Sequence, residues 1–225
     1  MNNYSFSDNS PVYKMNDISE REYKELDNIL LDKNGKLKLI KAAALKNIPQ
    51  QNIACWCRKN SIYSIVTTEL IDWLKDQIKD KVAIEIGAGK NILGKELGIV
   101  QTDSYIQNTP EVVEKFIQMR QPIIEYPERV QKYEAREACT RYRPQVVIGT
   151  WITQLGGSTV PQSSPYGVNE TKVVNWVEKY ILIGHEDSHN MKKIMDIPHK
   201  TYEFPWLYSR AMNVNGNKIW VWETT

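Results

Sequence analysis

"VAIEIGAGKNILGKELGIVQTDSY", Val82 to Tyr105, is the stretch whose reading decides the fold. Val82–Ile86 is a short apolar run of the kind expected for a strand buried on both faces. Asn91–Leu97 reads as helix, and Ile99–Thr102 as a second strand that delivers Asp103 at its tip. Three glycine patterns compete for the turn between strand and helix. Gly89 to Lys95 matches GxxxxGK, but Glu96 follows where Ser or Thr should hold magnesium, and a carboxylate there would repel phosphates. Gly94 also falls inside the apolar stretch Ile92, Leu93, Leu97. Gly87 and Gly89 fit the first two positions of GxGxxG, but the third is Ile92, a β-branched residue where helix and strand must pack closely. The third pattern is acid-x-Gly-x-Gly, and Glu85-Ile86-Gly87-Ala88-Gly89 matches it at every position. Here the chain turns sharply while its backbone runs close to a ligand, which leaves no room for a Cβ.

Outward from this stretch, residues 1–16 read as a loosely attached arm and 17–65 as a helical N-terminal extension, with one domain over 66–225. Ser19, with Glu22 three residues later, has capping-box spacing and opens a helix to about Asp32. Leu37–Leu45 reads as a second helical run. Gln50–Ile65 has mixed period and receives no assignment. Thr67 or Thr68 caps a helix bearing Leu70, Ile71, Trp73, Leu74 and Ile78. Beyond residue 102 the spacing predicts helices over Thr109–Met119, Ala135–Tyr142, Glu170–Glu178 and Asn190–Met195. Strands are expected at Val130–Tyr133, Gln145–Trp151 and Tyr180–Gly184. Gln154–Gly167 is a loop by composition. The Asn215-Gly216 pair between apolar alternations predicts a C-terminal hairpin. Strands alternating with short helices argue for an α/β, mostly parallel sheet with an antiparallel hairpin added at the end.

Composition narrows the classes of partner. With 29 basic and 27 acidic residues, the net charge of +2 offers no electrostatic footprint for duplex nucleic acid or a membrane surface. No apolar run approaches a membrane span. The polar N-terminus lacks the layout of a signal peptide, so a cytoplasmic location is expected. Three cysteines argue against a disulfide framework. Seven Trp and twelve Tyr against three Phe suit a core or cleft lined by rings with a polar tip.

Residues 67–184 resemble a class I S-adenosylmethionine-dependent methyltransferase. "VAIEIGAGKN" resembles that family's first motif, "VQTD" its second-strand acid, and "RPQVVIGTW" its fourth strand, entered through a proline. "WCRKNSIYSIVTTELIDWL" resembles the lead-in of a group of uncharacterised bacterial and phage methyltransferase-like proteins. The resemblance implies a Rossmann-like sheet with helices on both faces and S-adenosyl-L-methionine as cofactor. It places Glu85, Gly87, Ala88 and Gly89 at the methionine part, Asp103 at the ribose hydroxyls, and Glu134 of "QKYEA" at the adenine end. The implied activity is methyl transfer to an unidentified acceptor, a small molecule or protein rather than duplex nucleic acid. The loop after the fourth strand, Gly149–Gln154, lacks the Asp/Asn-Pro-Pro-aromatic motif of members acting on base or amide nitrogens. That absence argues against such acceptors.

Several residues carry two readings. Trp151 either stacks on a planar acceptor or packs beneath the 154–167 loop, a candidate lid with Gly156-Gly157 as hinge. His185 either deprotonates a hydroxyl acceptor or is a loop polar. Cys55 and Cys57 with His185 and His189 could offer four zinc ligands, but the Cys-x-Cys spacing is tight, and small apolar residues flanking Trp56 explain it as well. No metal is therefore expected. Lys36–Lys46 and Lys192-Lys193 read as solvated faces. The alternative to an enzyme is a binding protein that keeps the cleft without turnover, an adaptor or inhibitor.

Overall fold

The computed structural model describes residues 18–118, 122–157 and 159–224; the arm expected at 1–16 and the expected helix end at Met119 lie outside them. In chain order the elements are α1 (Glu20–Leu30), α2 (Gln50–Lys59), β1 (Ser64–Ile65), α3 (Thr68–Ile78), β2 (Ala83–Ile86), α4 (Leu93–Leu97), β3 (Val100–Asp103) and α5 (Pro110–Gln118). They continue with β4 (Val130–Lys132), α6 (Ala135–Tyr142), β5 (Val146–Thr150), β6 (Gln154–Leu155), β7 (Ser163–Ser164) and α7 (Glu170–Val174). The chain ends with β8 (Lys179–His185), α8 (Glu186–His189), β9 (Lys200–Tyr202), β10 (Tyr208–Ser209) and β11 (Asn217–Glu223).

Seven strands form one mixed sheet in the order β4-β3-β2-β5-β8-β11-β9. The first five are parallel, and β11 runs antiparallel to both β8 and β9. The chain enters the sheet at β2, moves through β3 to the β4 edge, then crosses back to β5 and β8. The direction of travel reverses between β2 and β5, which opens a crevice at the carboxyl ends of those strands. Alternate residues of β5 face opposite layers, as the period of two requires. Val146 and Ile148 pack with Leu70, Ile71, Leu74 and Ile78 of α3. Val147 packs with Ala138 of α6 and Val173 and Val174 of α7. Each of these buried aliphatic side chains contributes roughly 1.5–3 kcal/mol by leaving water.

The N-terminal extension has its own core, in which Leu26 and Leu30 of α1 meet Ile53 and Trp56 of α2. The Trp56 indole donates to Asp27 (2.8 Å) and Asn60 to the Tyr23 hydroxyl (2.7 Å). A short β1–β10 ladder and a bond from the Asn91 amide to the Ser64 carbonyl (3.1 Å) fasten the extension beside the crevice.

Two expectations are corrected, and the unassigned segment takes on structure. Leu37–Leu45 is not a helix, apart from a 3-10 turn at Ala42–Leu45. Asp32 accepts from the Asn34 and Lys36 amides, and Gly35 has φ +71°, so the chain folds back and residues 36–40 run extended, bridging Leu31 and Thr67. Within the unassigned segment, residues 50–59 form helix α2, with six consecutive buried residues from Asn52 to Cys57, and Ser64–Ile65 form β1. The C-terminal Asn-Gly pair makes no hairpin. Gly216 has no positive φ, as a type I′ turn would need. Residues 214–216 form a 3-10 turn leading into β11, which pairs with β8 and β9 instead. A Cβ on Gly216 would strike the His185 ring, so the glycine serves close approach. Smaller differences are that α7 stops at Val174, and that Asn190–Met195 is replaced by α8 and a 3-10 turn at Lys193–Asp196.

Candidate functional site

The crevice holds a cleft of about 150 Å³. One side is the turn after β2 with the tip of β3; the other combines the segment after β5, residues 61–63 of the extension, and Tyr166–Val168. Gly87, Ala88, Gly89, Asp103 and Trp151 all line it. The sequence reading therefore placed five of its site residues in one cavity.

The two glycines of the turn both have left-handed backbones, φ +60° at Gly87 and +55° at Gly89. A Cβ on Gly87 would lie 2.5 Å from the Ile152 side chain, which fills the space between the turn and the segment after β5. Two bonds tie the turn to β3: Ala88 donates to the Thr102 carbonyl, and Gly89 to a carboxylate oxygen of Asp103, each at 3.0 Å. The second Asp103 oxygen accepts from the Tyr105 amide at 2.9 Å. Burial raises the pKa of this carboxyl, and the amide donors pull the other way. Asp103 so braces the turn and presents a carboxylate to the cleft.

Glu85 behaves differently. It is fully buried, does not line the cleft, and points under the turn. One oxygen accepts from the Gly94 amide (2.9 Å) and from Gln101 (2.7 Å), while the other has no hydrogen-bond partner among the described residues. Gln101 is held in turn by Arg129 (2.8 Å). Burial pushes the Glu85 pKa up to about 7. The charge expected to meet a ligand amine is thus directed at the start of α4, and the competing phosphate-loop reading loses the free amide of Gly94. Glu134 caps α6 and lines an adjoining cleft of about 350 Å³ that shares Ser104, Ile106 and Tyr166 with the first.

At the end of β5, Trp151 has φ +55°, a strained value for a bulky residue, held by its neighbours. Its amide donates to the Ile183 carbonyl (2.8 Å), its indole to the Ser64 hydroxyl (2.9 Å), and its ring lies beside His185 and His189. His185 is buried, with Nε2–H donating to the Asn213 carbonyl (2.7 Å) and Nδ1 accepting from the Asp187 amide (3.2 Å), a tautomer assigned from these partners. Both ring nitrogens are engaged and the residue does not line the cleft; of its two readings, the loop polar is corrected, since His185 is buried at the end of β8. His189 is buried too, and desolvation presses its pKa down to about 3. Cys55 and Cys57 lie in α2, and among the described residues no cluster of three His, Cys, Asp or Glu side chains could hold a metal.

Lys192 corrects another expectation. It is fully buried rather than a solvated helix face. Its ammonium donates to the Ile152 carbonyl (2.8 Å) and pairs with Glu170, which also accepts from the Tyr180 hydroxyl (2.8 Å). Burial raises the Glu170 pKa and lowers that of Lys192, each opposed by its partner. Sequence patterning offers no signal for this network, because its four members come from four separate segments of the chain. The candidate lid is folded back by the β6–β7 pair, and Gln154 accepts from the Lys193 amide (2.5 Å). The buried Thr150 hydroxyl, also at the cleft, has no hydrogen-bond partner among the described residues. Against known proteins, no family model and no curated sequence matches this chain.

Proposed function

We propose that the chain is a Rossmann-like S-adenosylmethionine-dependent methyltransferase with its cofactor across the carboxyl ends of β2, β3 and β5. The observation that carries this reading is the Gly87–Gly89 turn, left-handed at both glycines and braced by Asp103, at the point where the strand order reverses. The residues present fit the group. The backbone at Gly89 is bare on its cleft side, Asp103 offers acceptors to ribose hydroxyls, and the adjoining cleft by Glu134 gives the nucleoside a place to extend. Bound there, the cofactor supplies an electrophilic methyl group whose carbon–sulfur bond breaks with the electron pair left on sulfur, while the acceptor forms the new bond and its proton leaves to water. The protein's share is alignment: Ile152 and Trp151 shape the opposite wall and restrict water.

The engagement of both His185 nitrogens favours a second reading, a binding protein without turnover. Calorimetry with S-adenosylmethionine, S-adenosylhomocysteine and ATP tests the site. The two adenosyl sulfur compounds should bind and ATP should not; tighter ATP binding would sink the proposal. Release of S-adenosylhomocysteine on adding candidate acceptors separates enzyme from binder.

A further inference from the structure

The two sides of the cleft differ in charge. Its two charged lining residues, Lys90 and Asp103, both belong to the glycine-turn side. The facing side, built from Ser61–Tyr63, Thr150–Thr153 and Tyr166–Val168, carries no formal charge. Its walls are aromatic and fixed. Trp151 is held by Ser64 and two imidazoles, and the Arg210 guanidinium lies 4.5 Å from the centre of the Tyr63 ring. Tyr63 and Trp151 stand 5.8 Å apart at a tilt of 52°, and the Tyr166 hydroxyl donates to Glu111 (3.2 Å). On this side the Thr150 hydroxyl has no partner among the described residues, and such a buried group calls for one. The cleft on its own, about 150 Å³, suits one benzene-sized ring, while the adjoining cleft beside Glu134 has the room for a nucleoside.

We infer that the side of the cleft formed by Tyr63, Thr150 and Trp151 receives a small, uncharged aromatic molecule bearing a hydroxyl or ring N–H that bonds to Thr150. Calling this ligand the methyl acceptor rests on the reading above; its binding chemistry does not. A lysine, arginine or carboxylate group would lose its hydration on this side, where the lining residues carry no formal charge and the Arg210 guanidinium is already set against the Tyr63 ring. The rings are already held in place, so a flat ligand orders little on entry.

Ligand-observed NMR titration of the full chain tests this with p-cresol, indole, toluene, benzoate and benzylamine. We expect p-cresol and indole to bind at least tenfold more tightly than benzoate or benzylamine. Thr150→Val should weaken p-cresol three- to tenfold, to the level of toluene, and leave toluene unchanged; Thr150→Ser should restore p-cresol. Benzoate binding as tightly as p-cresol would show that Arg210 attracts anions and overturn the inference. Equal losses for p-cresol and toluene in Thr150→Val, or no p-cresol binding to the wild type, would also overturn it. A parallel titration with S-adenosylhomocysteine separates the two claims: cofactor binding without p-cresol binding defeats this inference alone, and the converse defeats the proposed cofactor alone.

Discussion

At the end of β2 the glycine turn is held by carboxylates that take backbone N–H groups, whereas at the end of β5 the Trp151–Thr153 segment is held by a buried lysine and packed rings. The difference shows in how each responds to protons. Glu85, with its pKa raised from 4.5 to about 7, keeps a proton in the folded state that the unfolded chain has released. Its contribution to stability is therefore complete below pH 4.5 and is lost as pH rises to about 7. His189, with its pKa lowered from 6.5 to about 3, refuses a proton that the unfolded chain accepts. Its contribution is complete above pH 6.5 and is lost as pH falls toward 3. Between pH 4.5 and 6.5 the two slopes oppose, each about 1.4 kcal/mol per pH unit. Glu85 beneath the β2 turn and His189, packed against Trp151 from α8, thus offset one another across mildly acidic pH.

The largest expected effect lies on the β5 side. Lys192→Met leaves Glu170 buried without its partner and should cost about 3–5 kcal/mol in urea unfolding, most of it recovered by adding Glu170→Gln. A loss within 1 kcal/mol would mean that the pair behaves as a solvated one. Next comes Glu85→Gln, which removes one of the opposing slopes. Relative to wild type, its stability should gain about 3 kcal/mol between pH 4.5 and 7.5. Parallel stability–pH curves for the two proteins would remove Glu85 from the comparison. Third, Asp103→Ala takes a charged acceptor from the turn and from a ribose, and should weaken S-adenosylhomocysteine about 10- to 100-fold. Unchanged affinity in calorimetry would detach the acid from the ligand.

These two regions also differ in how far they were legible. The β2 turn could be read because its determinants are local: a buried strand, left-handed positions that glycine fills, and an acid at the next strand's tip. Only the direction of Glu85 escaped, since the choice between cleft and helix start depends on Gln101 and Arg129 across the sheet. The β5 side was less legible. Lys192 resembles any surface lysine until Ile152 and Glu170 are brought beside it, and His185 resembles a loop base until Asn213 covers it. Helix α2 escaped because its apolar residues run together from Ile53 to Cys57 and the segment continues into a strand at Ser64–Ile65, so no single period spans residues 50–65.

The smallest effect is the sharpest probe of whether the two sides act independently. Ser64 belongs to β1 in the N-terminal extension, and its hydroxyl accepts from the Trp151 indole. Ser64→Ala removes that acceptor but leaves the ring packed against His185 and His189, so the cost should be about 1 kcal/mol. Because the glycine turn is braced by Asp103 rather than by Trp151, affinity for S-adenosylhomocysteine should stay within about twofold, less than one hydrogen bond's worth. Binding of p-cresol, which depends on a fixed Trp151 wall, should weaken. If both ligands weaken together, Ile152 transmits the loosened wall to Gly87, and the two strand ends form one mechanical unit.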